Sequence, residues 1–247
     1  MTQYVKILWT DSESTGLDTS VSNILDLAWM VEIDGEIQSK KQFFVQPVLH
    51  CEDKIFGNQP IEKFVGDYNR GRKEAAPEFL RTFRFSPDTQ PLFAYSTGSL
   101  TFNLQPPDIH DPSEWLLNPK AKMAKEVLET LIENLDEYDH VRKRWILAGH
   151  NVKYDYDLIC AWAKRLLGEE EAHQRLIRKI NSFVFMDTMH LCRWFQYRKS
   201  LPEGTAKLSD VAKMLGLDVE NAHTALADVE MSRQIADRLF EGLQECK

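Results

Sequence analysis

The chain has 247 residues, of which 43% are hydrophobic and 28% charged, so it can bury a sizeable core and is too apolar for bulk disorder. A formal net charge of −8 argues against a protein that coats nucleic acid through a broad basic surface, but not against an enzyme that meets phosphates through metal ions. The sequence has no run of about 18 apolar residues and no signal-peptide pattern, so we expect a cytoplasmic chain without membrane association.

The first predicted elements form an antiparallel meander. Residues 5–10 are a β-rich run. In residues 25–34 the apolar side chains at odd positions alternate with a second set at even positions, namely Asp26, Ala28, Met30, Glu32 and Asp34, which predicts a strand with one buried face. Asp34-Gly35 is a hairpin-turn signal, and residues 42–45 supply the returning strand.

Residues 47–119 differ in character, because nine of the chain's ten prolines lie there and no long helical period survives. We interpret this segment as an insertion in a single domain of residues 1–247. Within residues 63–84, basic residues exceed acidic ones and aromatic rings are interleaved. This pattern fits a small satellite core, the interpretation we favour, or a stacking grip on single-stranded nucleic acid. The basic and aromatic residues concerned are Lys63, Phe64, Tyr68, Arg70, Arg72, Lys73, Phe79, Arg81, Phe83, Arg84 and Phe85.

Helices and strands alternate in the second half. Helical spacing is found over residues 121–138, from about 156 to 167, and over 188–195, 208–215 and 225–243, while residues 145–148 and 183–186 read as strands, the latter buried. Trp194 and Phe195 are expected in the core. The alternation predicts an α/β fold with a mixed sheet.

Two carboxylates follow the first strand. Asp11 and Glu13 are two residues apart, so in an extended chain they project from one face. Such a pair repels itself unless a cation lies between, and hard oxygen ligands suit magnesium or manganese. Ser, Thr, Gly and Asp are equally common in solvated turns, so this stretch alone leaves both interpretations open.

Two further stretches carry acids after strands or at helix starts. In Leu147-Ala-Gly-His-Asn-Val-Lys-Tyr-Asp155, the carboxylate of Asp155 alone would suit a helix start. In Ala222-His-Thr-Ala-Leu-Ala-Asp228, a lone His223 is more often structural than catalytic. Five residues turn a helix by about 140°, so we expect His223 before the helix and Asp228 inside it.

In this order the three stretches resemble the motifs of the DEDDh branch of the DnaQ-like 3′-to-5′ exonuclease family, which has a ribonuclease H-like fold. Met186-Asp-Thr-Met-His-Leu and Lys207-Leu-Ser-Asp-Val-Ala-Lys-Met-Leu-Gly-Leu resemble further family segments. The histidine branch fits because Thr224 stands where the sister branch has tyrosine. The resemblance covers roughly residues 1–46 and 121–243, and the insertion does not align.

The resemblance implies a catalytic site that holds two Mg²⁺ or Mn²⁺ ions, about 3.5 to 4 Å apart. Asp11, Glu13 and Asp228 would hold the ion that carries the nucleophilic water, with Asp11 bridging to a second ion supported by Asp155. His223 would be the general base. Ser14, Thr15, Gly16 and Leu17 would border the terminal nucleotide, and His150 and Asn151 would contact phosphate or brace the site, with local turn bonding equally open.

The function expected from the resemblance is metal-dependent hydrolysis at the 3′ end of single-stranded or frayed DNA, releasing nucleoside monophosphates. RNA trimming is the alternative, since the opening Ile7-to-Asp18 stretch also resembles oligoribonucleases. An inactive 3′-end-binding module and a nonspecific metal phosphoesterase are other readings. Proofreading would need a polymerase or repair partner, and a homodimer is a further expectation.

Overall fold

The computed structural model describes residues 5–15, 17–20, 22–46, 50–51, 54–55, 83–84, 93–96, 99–102, 120–139, 143–198, 201–219 and 224–244. None of the helices in these ranges is both long enough and apolar enough to cross a bilayer.

The chain opens with the predicted antiparallel meander. Strands β1 (Lys6–Ser14), β2 (Ile24–Ile33) and β3 (Glu36–Gln46) pair in sequence order. Asp34 and Gly35 join β2 to β3 with φ of 52° and 86°, the left-handed values that a tight hairpin turn requires. The hairpin prediction is confirmed, and β1 is longer than predicted, since Asp11 and Glu13 belong to it.

Within residues 47–119 the structure describes short strands, whereas the rest of this interval, with most of the predicted basic and aromatic grip, lies outside the described residues. One three-stranded group orders as β5-β4-β6, and a hairpin joins β7 to β8. These strands are β4 (His50–Cys51), β5 (Lys54–Ile55), β6 (Phe83–Arg84), β7 (Phe93–Ser96) and β8 (Ser99–Phe102).

The main sheet is mixed and has six strands in the order β11-β10-β1-β2-β3-β9. Strands β10 and β11 run parallel to β1, and β9 runs parallel to β3. The predicted mixed sheet is therefore confirmed. The added strands are β9 (Lys122–Met123), β10 (Trp145–Gly149) and β11 (Ile180–Asp187).

Six α-helices are described, and every predicted helix has a counterpart. One prediction was wrong at its start: α2 begins at Val152, directly after the left-handed Asn151, and not near Tyr156. Lys153, Tyr154 and Asp155 interrupt the apolar spacing there, so periodicity could not detect this first turn. The helices are α1 (Ala124–Glu137), α2 (Val152–Leu167), α3 (Glu169–Arg175), α4 (Thr188–Tyr197), α5 (Leu208–Met214) and α6 (Ala225–Gln244).

Helices cover both faces of the sheet, which corrects the prediction that β2 has one buried face. Trp29 and its neighbours on one face pack against α1 and α2, while Ala28 and Met30 on the other pack against Val229 of α6. All residues of β2 except Ile33 are buried. A central strand of a sheet that helices cover on both faces is apolar on both faces. Ala28 and Met30, which alternate with the apolar residues of the first face, were the sequence signal for this second buried face.

Strand β11 is the edge of the sheet, and the prediction of a buried strand was wrong there. Phe183 is 89% exposed and Val184 48% exposed. The pairing with β10 shifts register before Phe185, and the Phe183 N–H donates to Asn181 Oδ1 at 3.0 Å. This local turn takes the residues between Ile180 and Phe185 out of the pairing with β10, as bulges at sheet edges do.

Candidate functional site

The predicted carboxylates of β1 and α6 meet at one edge of the sheet. Asp11 and Glu13 lie on the face of β1 that also carries Ile7 and Trp9 and packs against α6. Asp228 lies in the first turn of α6, as expected from the sequence. One carboxylate oxygen from each of these three acids lies within 4.8 Å of the others, so the group could hold a metal ion.

Asp155 approaches the end of β1 from the opposite face of the sheet. It lies in the first turn of α2, is 3% exposed, and accepts a hydrogen bond of 2.5 Å from Ser12 Oγ. It is not one of the three acids whose oxygens lie within 4.8 Å of one another. Asp11, Glu13, Asp155 and Asp228 are called the acidic cluster below.

The surroundings of the acidic cluster disfavour the ionised form of its carboxylates. Burial, followed by the charges of Asp155, Asp228 and Glu13, raises the pKa of Asp11 well above its ordinary value. Burial also raises the pKa of Asp155 to about 7, against the lowering effect of its hydrogen bond from Ser12. Carboxylates arranged this way favour a proton or a cation among them.

Asp26 is a buried acid next to the cluster that sequence reasoning missed. It is opposite Glu13 in the β1–β2 register, has no exposed surface, and burial raises its pKa to about 6. Its Oδ2 accepts hydrogen bonds from Gln42 Nε2 at 2.7 Å and from the backbone N–H of Ala225 at 3.3 Å. Asp26 thus holds the start of α6, three residues before Asp228. The signal in the sequence was an acid in the first half of a strand whose other residues there are apolar.

A close backbone approach brings β10 to β1 beside the cluster. A Cβ built on Gly149 would lie 2.6 Å from the carbonyl oxygen of Thr10, a distance that no side chain tolerates. Glycine at this position therefore lets β10 end beside Asp11, so that α2 can begin where Asp155 meets Ser12.

His150 and Asn151 follow β10 and form hydrogen bonds with residues at the start of α4 and just before α5. His150 Nε2 lies 2.6 Å from the carbonyl oxygen of Ala206, to which it donates, and Nδ1 lies 2.9 Å from Thr188 Oγ1. The Asn151 N–H donates to Asp187 Oδ1 at 3.1 Å. Both ring nitrogens of His150 have partners within the protein, so this geometry favours the bracing interpretation over phosphate contact.

The residues after β1 were predicted to border a terminal nucleotide. Ser14 Oγ lies 2.6 Å from the Tyr154 hydroxyl, and Thr15 Oγ1 accepts a hydrogen bond of 2.9 Å from the Asn23 N–H. These contacts are internal and shape the loop. Leu17 is 84% exposed, and Gly16 lies outside the described residues.

His223, the predicted general base, also lies outside the described residues. The structure describes the chain again from Thr224, whose Oγ1 accepts a hydrogen bond from the Ala227 N–H at 3.3 Å and so caps α6. The role of His223 therefore stays a prediction.

The fold and the cluster together define an α/β chain of the ribonuclease H-like fold, with carboxylates gathered at the carboxyl end of its first strand. Solved structures of exonuclease I share this fold. The product-bound structure of exonuclease I has a TM-score of 0.56 and 14% identity, covering 98% of this chain and 46% of that one. The zinc-bound form of the E. coli exonuclease I complex with single-stranded DNA has a TM-score of 0.56 and 16% identity, at 98% and 43% coverage.

E. coli exonuclease I in complex with a dT13 oligonucleotide has a TM-score of 0.57 and 15% identity, at 97% and 43% coverage. The chain thus spans less than half the length of these exonuclease I chains. No protein-family model and no curated protein sequence matches the chain. At these identities, the likeness establishes the fold.

Proposed function

We propose that this chain is a metal-dependent 3′-to-5′ exonuclease of the DEDDh type, acting on single-stranded or frayed DNA and releasing nucleoside monophosphates. The observation that carries the proposal is the convergence of Asp11, Glu13 and Asp228 within 4.8 Å, with Asp155 brought to the same strand end by Ser12. Four carboxylates from three separate elements meet at this one place.

The donor set fits a hard divalent cation such as Mg²⁺ or Mn²⁺, because it offers carboxylate oxygens and no sulfur or imidazole among the described ligands. The raised pKa of Asp11 supports this fit, since a cation removes the repulsion from Asp155, Asp228 and Glu13. Asp11, Glu13 and Asp228 would hold one ion, and Asp11 with Asp155 a second. When bound, the ions supply Lewis acidity that activates water and stabilises charge on the phosphodiester.

The chain's own groups supply the remaining chemistry. His223 accepts a proton from the attacking water at an imidazole nitrogen, since its ordinary pKa lies near neutrality. Asp26 fixes the start of α6 and thereby the position of Asp228. The exposed Leu17 is available to pack against the terminal base.

The choice of DNA as the substrate is supported by the structural neighbours, which include exonuclease I bound to dT13 and dA16 oligonucleotides. The hypothesis also includes a polymerase or repair partner and a homodimer.

The proposal is tested with a 5′-labelled single-stranded DNA oligonucleotide and a matched RNA, each incubated with Mg²⁺ or Mn²⁺. We expect a ladder shortened from the 3′ end, faster on DNA, that disappears in EDTA and in Asp11→Asn. A faster RNA ladder would reassign the chain to RNA trimming. Release of inorganic phosphate alone, or tight 3′-end binding without cleavage in either metal, would refute the exonuclease proposal.

A further inference from the structure

The outer face of α4 is defined by His190, Arg193, Trp194, Tyr197 and Arg198, the last being the residue that follows the helix. These positions follow the i, i+3, i+4, i+7, i+8 spacing of one helical stripe, and all five are exposed. Trp194 is 50% exposed and Tyr197 82% exposed, so the prediction that Trp194 lies in the core was wrong. Two large rings and two arginines therefore share one surface.

The opposite side of α4 accounts for its place in the fold. Cys192 and Phe195 are buried against Val211 of α5 and Ile235 of α6. Trp194 contacts Phe195 edge-on, with ring centroids 5.2 Å apart, and half of its surface is left to solvent. The inner face is sufficient to anchor the helix, so packing does not explain the rings on the outer face.

The charge of the outer face is opposite to that of the chain. Residues 188–198 contain two arginines and no Asp or Glu, whereas the whole chain carries −8. By contrast, Arg175 is paired with Glu129 and Arg233 with Glu32. No ion pair joins Arg193 or Arg198 to any of the residues that the structure describes.

The outer face begins at the edge of the sheet that carries the acidic cluster. Strands β1, β10 and β11 are parallel, so their carboxyl ends share one edge, and α4 starts there at Thr188. Asp187 Oδ1 caps α4 through the Met189 N–H at 2.9 Å, and it also accepts from Asn151, four residues before Asp155. The helix is thus fixed to the segment that positions part of the cluster, and its outer face leads away from it.

We propose that the outer face of α4 binds the single strand behind its 3′ end, with bases stacking on Trp194 and Tyr197 and phosphates contacting Arg193 and Arg198. This proposal rests on the proposed function, because the strand's 3′ end must lie at the acidic cluster. Rings interleaved with cations are what single-stranded nucleic acid requires of a binding surface. The eight residues from His190 to Tyr197 span about 10 Å, the length of about three stacked nucleotides at ~3.4 Å each.

The first test measures the affinity of the chain for a fluorescent single-stranded 20-nucleotide DNA in EDTA, where cleavage cannot occur. We expect the Arg193→Glu/Arg198→Glu variant to bind at least about tenfold more weakly than wild type. The slope of log affinity against log salt should fall by roughly 0.7 for each lost phosphate contact. The loss should be larger for the 20-mer than for a trinucleotide.

A matched control is Arg144→Glu/Arg178→Glu, which makes the same charge change. Arg144 and Arg178 are exposed and lie just before β10 and β11, at the opposite edge of the sheet. We expect this variant to retain near wild-type affinity. Equal losses in both variants would show a general charge effect and overturn the proposal, as would wild-type affinity in the α4 variant.

Fluorescence provides a separate test of stacking. Of the tryptophans in the described part of the chain, Trp9, Trp29, Trp145 and Trp162 are buried and Trp194 is half-exposed, so stacked bases should quench Trp194. We expect quenching on DNA addition that is lost in Trp194→Phe, and Trp194→Ala and Tyr197→Ala should each weaken binding about tenfold. If these variants instead alter the oligomeric state with strand affinity unchanged, the face contacts protein and the proposal is wrong.

These measurements separate the two proposals. Binding is measured in EDTA and does not depend on hydrolysis, whereas the exonuclease proposal is judged by the 3′ ladder of the wild-type chain in Mg²⁺. A chain that shortens DNA but binds it independently of α4 would leave the proposed function intact and refute only the inference about α4.

Discussion

The acidic cluster and the outer face of α4 differ in almost every physical respect, although both begin at one edge of the sheet. The cluster is acidic and partly buried, and its residues are held by β1, α2 and α6. The outer face of α4 is basic and aromatic, and its side chains are exposed on a single helix. The net charge of −8 for the whole chain does not reveal the basic outer face of α4.

Under the two proposals, the chain would meet nucleic acid in two physically different ways. Clustered carboxylates repel phosphate and one another until cations neutralise them, so the cluster would act on nucleic acid only with metal bound. Exposed arginines and rings attract a single strand directly and lose that attraction as salt rises. The cluster should therefore depend on metal, and the outer face of α4 on ionic strength.

The largest expected effect is on turnover. Asp11→Asn or Asp228→Asn should lower the exonuclease rate by roughly a thousandfold or more, because the cation's charge stabilisation is worth several kcal/mol. Both variants should fold, and thermal unfolding in EDTA should shift upward, since one repelling charge is gone.

Asp157→Asn is the matched control, because Asp157 lies on α2 two residues after Asp155 and is partly exposed in an ion pair with Lys153. It should keep the wild-type rate. Asp11→Asn should retain wild-type affinity for single-stranded DNA in EDTA. A parallel loss of affinity and turnover would show that the cluster and the outer face of α4 do not act separately.

The next effect concerns His223. His223→Ala should slow cleavage by roughly a hundredfold or more while metal binding, measured by calorimetry with Mn²⁺, is retained. His173→Ala, which removes an exposed histidine of α3, is the control and should be neutral. A wild-type rate in His223→Ala would assign the base to another group.

A smaller effect is the pH dependence of stability without metal. The folded-state pKa of Asp155 is raised to about 7 from an ordinary value near 4, so the folded chain binds more protons between these values. The free energy of unfolding in EDTA should therefore fall as pH rises from about 4 to about 7, by a few kcal/mol, and level off above.

Asp155→Asn should reduce this pH dependence, the remainder coming from Asp11 and Asp26, whose pKa values burial also raises. Saturating Mg²⁺ should stabilise the wild type more at pH 8 than at pH 5. Arg193→Glu/Arg198→Glu should leave it unchanged, because those arginines are exposed. Stability that rises over the same pH range in EDTA would contradict the raised pKa.

The smallest effect is at Asp26. Asp26→Ala should reduce the free energy of unfolding by about 1–2 kcal/mol, because the Ala225 N–H and Gln42 lose their acceptor in a buried position. Asp26→Asn keeps an oxygen there and should cost less, particularly above pH 6, where Asp26 is ionised. Chemical denaturation at pH 5 and pH 8 distinguishes the two variants, and equal losses in Asp26→Ala and Asp26→Asn would exclude the helix-capping role.

Periodicity and motifs located most of the fold. The hairpin at Asp34-Gly35, the mixed sheet and the helices follow local rules, and these predictions are confirmed. The predictions for β2 and β11 were wrong in opposite directions. β2 was expected to have one buried face and is covered on both, whereas β11 was expected to be buried and exposes Phe183 at the edge of the sheet. A sequence pattern does not state how many neighbours a strand will have.

The sequence by itself named the side chains of the candidate chemistry, because Asp11, Glu13, Asp155, Asp228 and His223 lie, in order, in stretches that resemble the motifs of one family. Tertiary structure decided what surrounds them: Ser12 on Asp155, Asp26 at the start of α6, and Trp194 on the outside of α4. The physical reason is range. Turn, helix and strand preferences act over a few neighbours, whereas burial, carboxylate repulsion and strand order depend on residues more than a hundred positions apart, as Ser12 and Asp155 are.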